Sequence, residues 1–502
     1  MTDVTCYMLH AHVVCCVFTP HGTLVSMISK KRIFFLISIL ICSVPLFLTF
    51  NRGINYFDEG YILEGARKIL AGAVPYKDFH FIYTPLSIYL LALFLKIGGN
   101  YVIIERFGAL ALSLFGIGAL GLLTEKITKN SLISFFSMFL YTLWGPTHIN
   151  FIWPVMIVLP FVFFYLYLFS SKHFFLAGMV MGVVLICKHN LGAALIISCV
   201  GYCVLQKNVR RQGLFVLSGF MSVLGVFTLY LALSQSLFPF FADMNRYTIQ
   251  AILVRQSFSV PFPTDSLAKF LLYSAPGIAS LGVAAFLFFQ KKTKELLYIP
   301  LTTGALYFLA IFPTPDWTHL LPLLGLLGIL IALIPAFLGQ KSRVITYLIF
   351  ILVISVAGYS ALRRNYYRWE APLTQHTNCF SQGVMKWMCL DGKNFSVITE
   401  TLSRAQKETQ YDSAIFTYYN DPIFYFLLQK NNPTPYNDFN VAISKDEEEG
   451  AIAALEQEKV NIVITRFGIS AGQAPRVGNY IISHFTPLQN SFEFVVWKRK
   501  GV

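Results

Sequence analysis

Charge is what this sequence has little of. Asp, Glu, Lys and Arg make up only 13% of its 502 residues, about half the share in a soluble domain. That excludes an ordinary water-soluble protein. The nine cysteines include no CxxC pairing, so a thiolate zinc site has no framework. No Walker-type loop or dinucleotide fingerprint is present, which leaves nucleotides without a phosphate cradle. Internal repeats are missing too. The first 26 residues, with three cysteines and three histidines, lack the basic start and small-residue cleavage site of a signal peptide. A genuine extension and a start at Met27, just ahead of Lys30, Lys31 and Arg32, both stay open.

What fills the space is apolar. Hydrophobic residues reach 56%, aromatics 16%, and mean hydropathy is +0.60. Apolar runs of about twenty residues recur, each able to cross a hydrocarbon core of about 30 Å. The expected fold is an all-α polytopic membrane protein. The net charge of +14 collects in short clusters between these runs, which marks cytoplasmic loops rather than nucleic-acid binding.

Ile33–Phe50 gives 18 apolar or small residues for a first span, with the N-terminus in the cytoplasm. A helix over 58–70 follows, closed by Gly72. Pro85–Ile97 is apolar but only 13 residues long, opened by Thr84-Pro85 as cap and first turn. If it spans, every later basic cluster falls outside. If it lies in the interface, Lys126 and Lys129, Lys172, Lys207 with Arg210 and Arg211, Lys291 with Lys292 and Lys294, and Lys341 with Arg343 all fall in cytoplasmic loops. The positive-inside rule selects the second arrangement. It predicts eleven spans: 33–50, then about 103–124, 132–150, 154–170, 173–188, 191–206, 214–233, 270–290, 296–312, 318–338 and 344–361. The organisation is an uncertain extension (1–26), a membrane domain (27–362) with a long first outer loop (51–102), and a polar extracytoplasmic region (363–502). Strand-like runs at 413–416, 460–465 and 492–497 alternate there with helical patterns at 422–429 and 448–458, which reads as a small α/β domain. Its Cys379 and Cys389 can pair or remain two neighbouring thiols.

This topology gathers Asp58, Glu59, His80, Tyr83, Arg106, His148, Lys188, Asp243, Arg246, Arg255, Asp316 and His319 on the outer face. Ionisable groups at membrane depth are costly and mark function by default. Each also has a plainer reading. Asp58 can simply cap its helix, Lys188 can snorkel to the headgroups, Arg246 and Arg255 can pair with Asp243, and Asp316 can sit in a solvated turn. As chemistry, Asp58 and Glu59 are candidate catalytic carboxylates. Lys188, Arg255, His319 and His80 are candidate phosphate-binding groups, with Tyr61, Tyr83, Arg246 and Asp316 lining a substrate pocket. No cofactor is required, although Asp58, Glu59 and His319 leave room for a divalent ion.

The stretch NYFDEGYILEGARKILAGAVPYKDF, the Tyr83-Thr84-Pro85 turn, Lys188 at a span end and PTPDWTHLLP together resemble the GT-C glycosyltransferases. The similar branch is that of protein O-mannosyltransferases and the lipid A aminoarabinose transferase. The resemblance covers about 28–362. It implies a polyprenyl-phosphate sugar donor, an extracytoplasmic acceptor (protein, lipid or glycan), Asp58 as the base, inversion at the sugar, and a multi-pass location in the plasma membrane. Several relatives carry a second aspartate before a proline where this chain reads Phe151-Ile152-Trp153-Pro154; a second carboxylate role therefore falls to Glu59 or is absent. The rival readings are a transporter or flippase of a lipid-linked or anionic substrate, and a catalytically silent relative acting as a binding subunit. Asymmetric outer clustering and the lack of repeats weigh against transport.

Overall fold

The computed structural model describes residues 4–9, 12–17, 30–206, 209–254, 267–290, 294–310, 317–363, 373–409, 414–418, 421–437, 444–466, 469, 474–490 and 493–501. Two short antiparallel strands, β1 (Val4–Leu9) and β2 (His12–Val17), precede everything else. The helices then run α1 (Lys30–Thr49), α2 (Asp58–Leu70), α3 (Leu86–Gly98), α4 (Val102–Thr128), α5 (Ser131–Trp144), α6 (Pro154–Ser170), α7 (Phe174–Cys187), α8 (His189–Leu205) and α9 (Arg210–Leu233). They continue as α10 (Leu237–Val254), α11 (Leu267–Phe289), α12 (Tyr298–Ala310), α13 (Trp317–Leu320), α14 (Leu327–Ala332), α15 (Ile334–Leu338) and α16 (Arg343–Arg363).

Among the described residues four helices, α1, α4, α9 and α16, are long and apolar enough to cross a bilayer by length and composition. Exposed leucine, isoleucine, valine and phenylalanine cover the outer faces of α1, α9 and α16, as a lipid-facing surface requires. Most of the other apolar helices are shorter, between 10 and 17 residues. The run expected as one span over 318–338 is divided into α13, a 3-10 turn at Leu321–Leu326, α14 and α15. Pro322 and Pro335 withhold backbone donors. The loosened backbone finds partners instead: Tyr307 donates to the Leu323 carbonyl at 2.8 Å and Ser137 to that of Gly328 at 3.2 Å. The loop expected over 234–269 contains α10, which the sequence reading missed.

Small residues set the tightest helix contact. A Cβ on Gly178 of α7 would fall 1.9 Å from the Val216 carbonyl oxygen of α9, and one on Gly219 2.0 Å from that of Phe175. Only glycine permits this backbone approach, the usual device where lipid offers no hydrophobic drive between helices.

The C-terminal part combines helices and strands. A hairpin, β3 (Asn378–Cys379) with β4 (Cys389–Leu390), is closed by a Cys379–Cys389 disulfide. Beyond α17 (Gly392–Glu408) come β5 (Ile415–Tyr418), α18 (Ile423–Leu428), α19 (Lys445–Gln457), β6 (Ile462–Arg466), α20 (Pro475–His484), β7 (Phe485–Asn490) and β8 (Phe494–Arg499). The sheet order is β5-β6-β8-β7, with β5 and β6 parallel and the other pairs antiparallel. Strands β5, β6 and β8 fall close to the runs at 413–416, 460–465 and 492–497, while β3, β4 and β7 were not foreseen; Ser444 opens α19 with a complete capping box.

This domain is built into the membrane domain. Gly53 donates to the Cys389 carbonyl at 3.0 Å and Cys389 to that of Asn51 at 2.8 Å, so the disulfide hairpin grips the end of α1. Against α2, the Ile423 backbone comes so near that a Cβ on Gly60 would lie 2.4 Å from its nitrogen. One continuous core includes Leu46, Tyr61, Leu390, Phe424 and Phe494.

Candidate active site

Asp58 is the first residue of α2, half-buried. It does not cap the helix itself. Asn55 does that work: its Oδ1 accepts from the Phe57 and Asp58 amides at 3.0 and 2.9 Å, while its Nδ2 donates to Asp58 Oδ2 at 3.2 Å. The carboxylate is thereby aimed by a side chain at a helix N-terminus, a favourable position for negative charge. Glu59, expected beside it as a second catalytic carboxylate, is fully buried. Its Oε2 accepts from the Asn55 amide at 2.8 Å and from Arg106 Nη2 at 2.7 Å.

Arg106, only 1% exposed, is the hub of this buried cluster. It also donates to the Gly53 carbonyl at 3.0 Å and to Asn150 Oδ1. Asn150 in turn donates to the carbonyls of Thr49 and Arg52 at 2.6 and 2.9 Å. The network ties the end of α1, the Asp58 loop, α4 and the 145–153 turn into one unit. The sequence reading gave Arg106 no role, since its partners lie 44 to 53 residues away.

Touching aromatic rings lead from α2 to Lys188. Tyr61, one turn after Asp58, stacks on Phe81 at 5.3 Å and meets Tyr83 edge-on at 6.4 Å. Its hydroxyl accepts from the Ile82 amide at 3.0 Å. Lys188 sits in extended backbone between α7 and α8, only 4% exposed. Its ammonium lies 5.6 Å from the Tyr83 ring and 5.4 Å from the Trp153 ring, within cation–π range. Trp153 also packs against His319 at 5.8 Å. Tyr61, Tyr83, Lys188 and His319 are thus brought together as the sequence suggested. Beside them opens an apolar cavity of about 550 Å³, lined by Pro85, Leu86, Ile186, Val223, Val226 and Phe227 among others. Across it Tyr89 and Tyr230 share a hydroxyl–hydroxyl bond.

Two of the expected site residues have partners that reach the C-terminal domain. His80 bonds Asp243 at 2.6 Å and stacks on Tyr436 at 4.8 Å. Arg246 forms a two-pronged pair with Glu447, at the start of α19. Both therefore join α10 and the first loop to the C-terminal domain. Arg255 and Asp316 lie outside the described residues. Among the described residues no group of three or more His, Cys, Asp or Glu gathers as a metal site, so Asp58, Glu59 and His319 do not form one.

Sequence reading also passed over Asp421, which lies just ahead of the Ile423 contact with Gly60. It is 2% exposed, and among the described residues neither carboxylate oxygen has a hydrogen-bond donor. Arg466 approaches to 3.7 Å and spans the gap to the Asp58 loop, its guanidinium 5.4 Å over the Tyr56 ring. Burial pushes the Asp421 carboxyl up to about 7, with Arg466 opposing and Glu493 adding to the rise. The folded chain then holds this proton more tightly than the unfolded chain, so stability falls as pH climbs from about 4 to about 7 and levels off above. Asp421→Asn cannot titrate. Its melting temperature relative to wild type is expected to be higher at pH 8 than at pH 5; an equal offset at both would refute the assignment.

Neither protein-family models nor curated proteins give a sequence match. Solved structures do. ArnT from Cupriavidus metallidurans bound to undecaprenyl phosphate aligns with 93% of this chain and 97% of its own, at 12% identity and a TM-score of 0.55. Its apo form gives the same coverage and identity with a TM-score of 0.56. AglB, the oligosaccharyltransferase of Archaeoglobus fulgidus, in complex with an inhibitory peptide and a dolichol-phosphate, aligns at 10% identity over 87% of this chain and 69% of its own, with a TM-score of 0.45. The chain shares the fold of ArnT, and among its described residues four helices are long and apolar enough to cross a membrane. Its helix bundle and C-terminal domain together match the extent of ArnT.

Proposed function

We propose that this protein is an integral-membrane glycosyltransferase moving a sugar from a polyprenyl-phosphate carrier to an extracytoplasmic acceptor. The observation that carries the reading is Lys188: a buried cation held by Tyr83 and Trp153, between the Asp58 helix and an apolar groove open to lipid. A phosphate with a long hydrocarbon tail meets both needs. The fold shared with ArnT, one structure of which holds undecaprenyl phosphate, supports the same reading.

The reaction is a single displacement. The acceptor hydroxyl oxygen attacks the anomeric carbon, the bond from that carbon to the phosphate oxygen breaks, and the proton passes to the Asp58 carboxylate. The electron pair leaves with the polyprenyl phosphate, whose charge Lys188 stabilises, assisted by His319. One displacement inverts the anomeric centre. Glu59 takes a positioning role through Arg106. Arg255 and Asp316 are assigned to phosphate binding and the pocket wall, and the membrane is the plasma membrane.

Lys188→Met keeps length and apolar packing while removing the charge. A charge-assisted contact is worth about 1.5–3 kcal/mol, so affinity for a polyprenyl phosphate is expected to fall about 10- to 100-fold. Uncharged polyprenol should bind both forms alike. Unchanged phosphate-lipid affinity would sink the role of Lys188. The orientation, with eleven spans and the soluble domain outside, is tested by alkaline phosphatase fused after Val502. It is expected to be active; an inactive fusion would place that domain in the cytoplasm.

A further inference from the structure

At the other end of α1, about 30 Å from the Asp58 loop for a helix of 20 residues, lies a second cavity that the transfer reaction does not use. Its volume is about 490 Å³. Lys31, Arg32 and Lys126 line it together with Glu125, three cations to one carboxylate. Two helices also begin here: α1 at Lys30 and α5 at Ser131, whose first amides are partly capped by the Asn130 side chain. Helix N-termini carry partial positive charge and so add to the preference for an anion. Lys126 extends over the Tyr167 ring at 6.0 Å.

The floor is quite different. Phe34, Phe35, Leu36, Leu122 and Met138 form it, and Phe34, Leu36 and Leu122 keep 38–55% of their surface exposed on the lipid-facing side. Gly121 lets Phe35 and Met138 close together, since a Cβ there would lie 2.7 and 2.5 Å from their side chains. A small soluble anion would leave this apolar wall uncovered. A zwitterionic lipid would bring its own cation to a rim already rich in them. An anionic lipid satisfies both halves, and basic pockets between transmembrane helices commonly hold such headgroups.

We propose that this cavity binds an anionic glycerophospholipid, its phosphate at Lys31, Arg32 and Lys126 and its acyl chains along Phe34, Leu36 and Leu122. With the orientation proposed above, this is a lipid of the cytoplasmic leaflet. The assignment does not depend on the transferase reading.

The test uses the full-length protein in nanodiscs or by native mass spectrometry, with dioleoyl-phosphatidylglycerol, dioleoyl-phosphatidylcholine and inorganic phosphate as probes. Wild type is expected to retain phosphatidylglycerol at least ten-fold better than phosphatidylcholine and to ignore millimolar inorganic phosphate. Lys31 and Arg32 also flank the first span and bear on its insertion, so Lys126→Gln is the variant of choice. It should weaken phosphatidylglycerol about five-fold, the loss of one cation near a membrane surface, and leave phosphatidylcholine unchanged. Gly121→Ile, which fills the floor without touching charge, should weaken phosphatidylglycerol as well. Equal retention of the two lipids by wild type, or full displacement by inorganic phosphate, would overturn the proposal. So would both variants binding phosphatidylglycerol as wild type does.

Discussion

Asp58→Asn is expected to lower the rate of sugar transfer about 10²- to 10⁴-fold, the contribution of a positioned general base. The change is close to isosteric. The Asn55 Oδ1 bonds to the Phe57 and Asp58 amides do not involve the altered side chain, and an asparagine oxygen can still accept from Asn55 Nδ2 in place of Asp58 Oδ2. Folding and donor binding should therefore survive. The loss should fall on kcat, with KM for the donor nearly unchanged. Asp58→Glu retains a carboxylate at the wrong reach and should fall between. The measurement is transfer from a radiolabelled polyprenyl-phosphate sugar in membranes, alongside polyprenyl-phosphate binding by the same preparation. Transfer within a few-fold of wild type would remove Asp58 from the chemistry. Loss of binding along with transfer would instead reveal a structural defect.

The second large effect concerns stability. Arg106→Ala strips the partner from Glu59, which is fully buried, and leaves Asn150 and the Gly53 carbonyl short of a donor. Breaking one side of a buried ion pair costs about 3–5 kcal/mol. Glu59→Ala should cost a similar amount by stranding the guanidinium. Glu59→Gln with Arg106→Leu, which removes both charges, should be milder than either. Thermal unfolding of the detergent-solubilised variants checks this ordering. If the double change is as damaging as the two single losses added together, the two residues act separately. The same comparison divides the roles of the neighbouring carboxylates: Asp58→Asn is expected to spare stability and abolish transfer, Arg106→Ala to do the reverse in first effect.

What the sequence made legible follows from physics acting over short ranges. Apolar length and basic loops marked the bundle, and α6 and α7 coincide with the expected runs at 154–170 and 173–188. Three of the four strands of the C-terminal sheet, β5, β6 and β8, lie near short β-branched and aromatic runs in the sequence, whereas β7 was not foreseen. A broken segment was harder. Leu321–Leu326 is as apolar as any helix, and its irregularity depends on Pro322 and on a close approach of Gly325 to Tyr141 that sequence spacing does not display. In the candidate site, Tyr61 and Tyr83 were identifiable as aromatic groups of the long first loop, and Lys188 and His319 as polar groups interrupting apolar runs. Their mutual contact was not, because Trp153 connects them and reads in sequence as one more apolar residue. His80 and Arg246 have the same chemistry as phosphate ligands; only their partners, Asp243 and Glu447, set them apart.

The grip of the C-terminal domain on the Asp58 loop has a consequence for how the protein is made. Tyr56 bonds Asn394, a partner 338 residues later in the chain. At about 5–20 residues per second, the ribosome needs roughly 20 to 70 s to supply it. Throughout that interval the first loop waits without the surface that Gly60 and Tyr56 press against. The Asp58 loop is thus completed late in synthesis. A chain cut short before the disulfide hairpin would keep its helices yet leave the Asp58 loop without the surface it packs on.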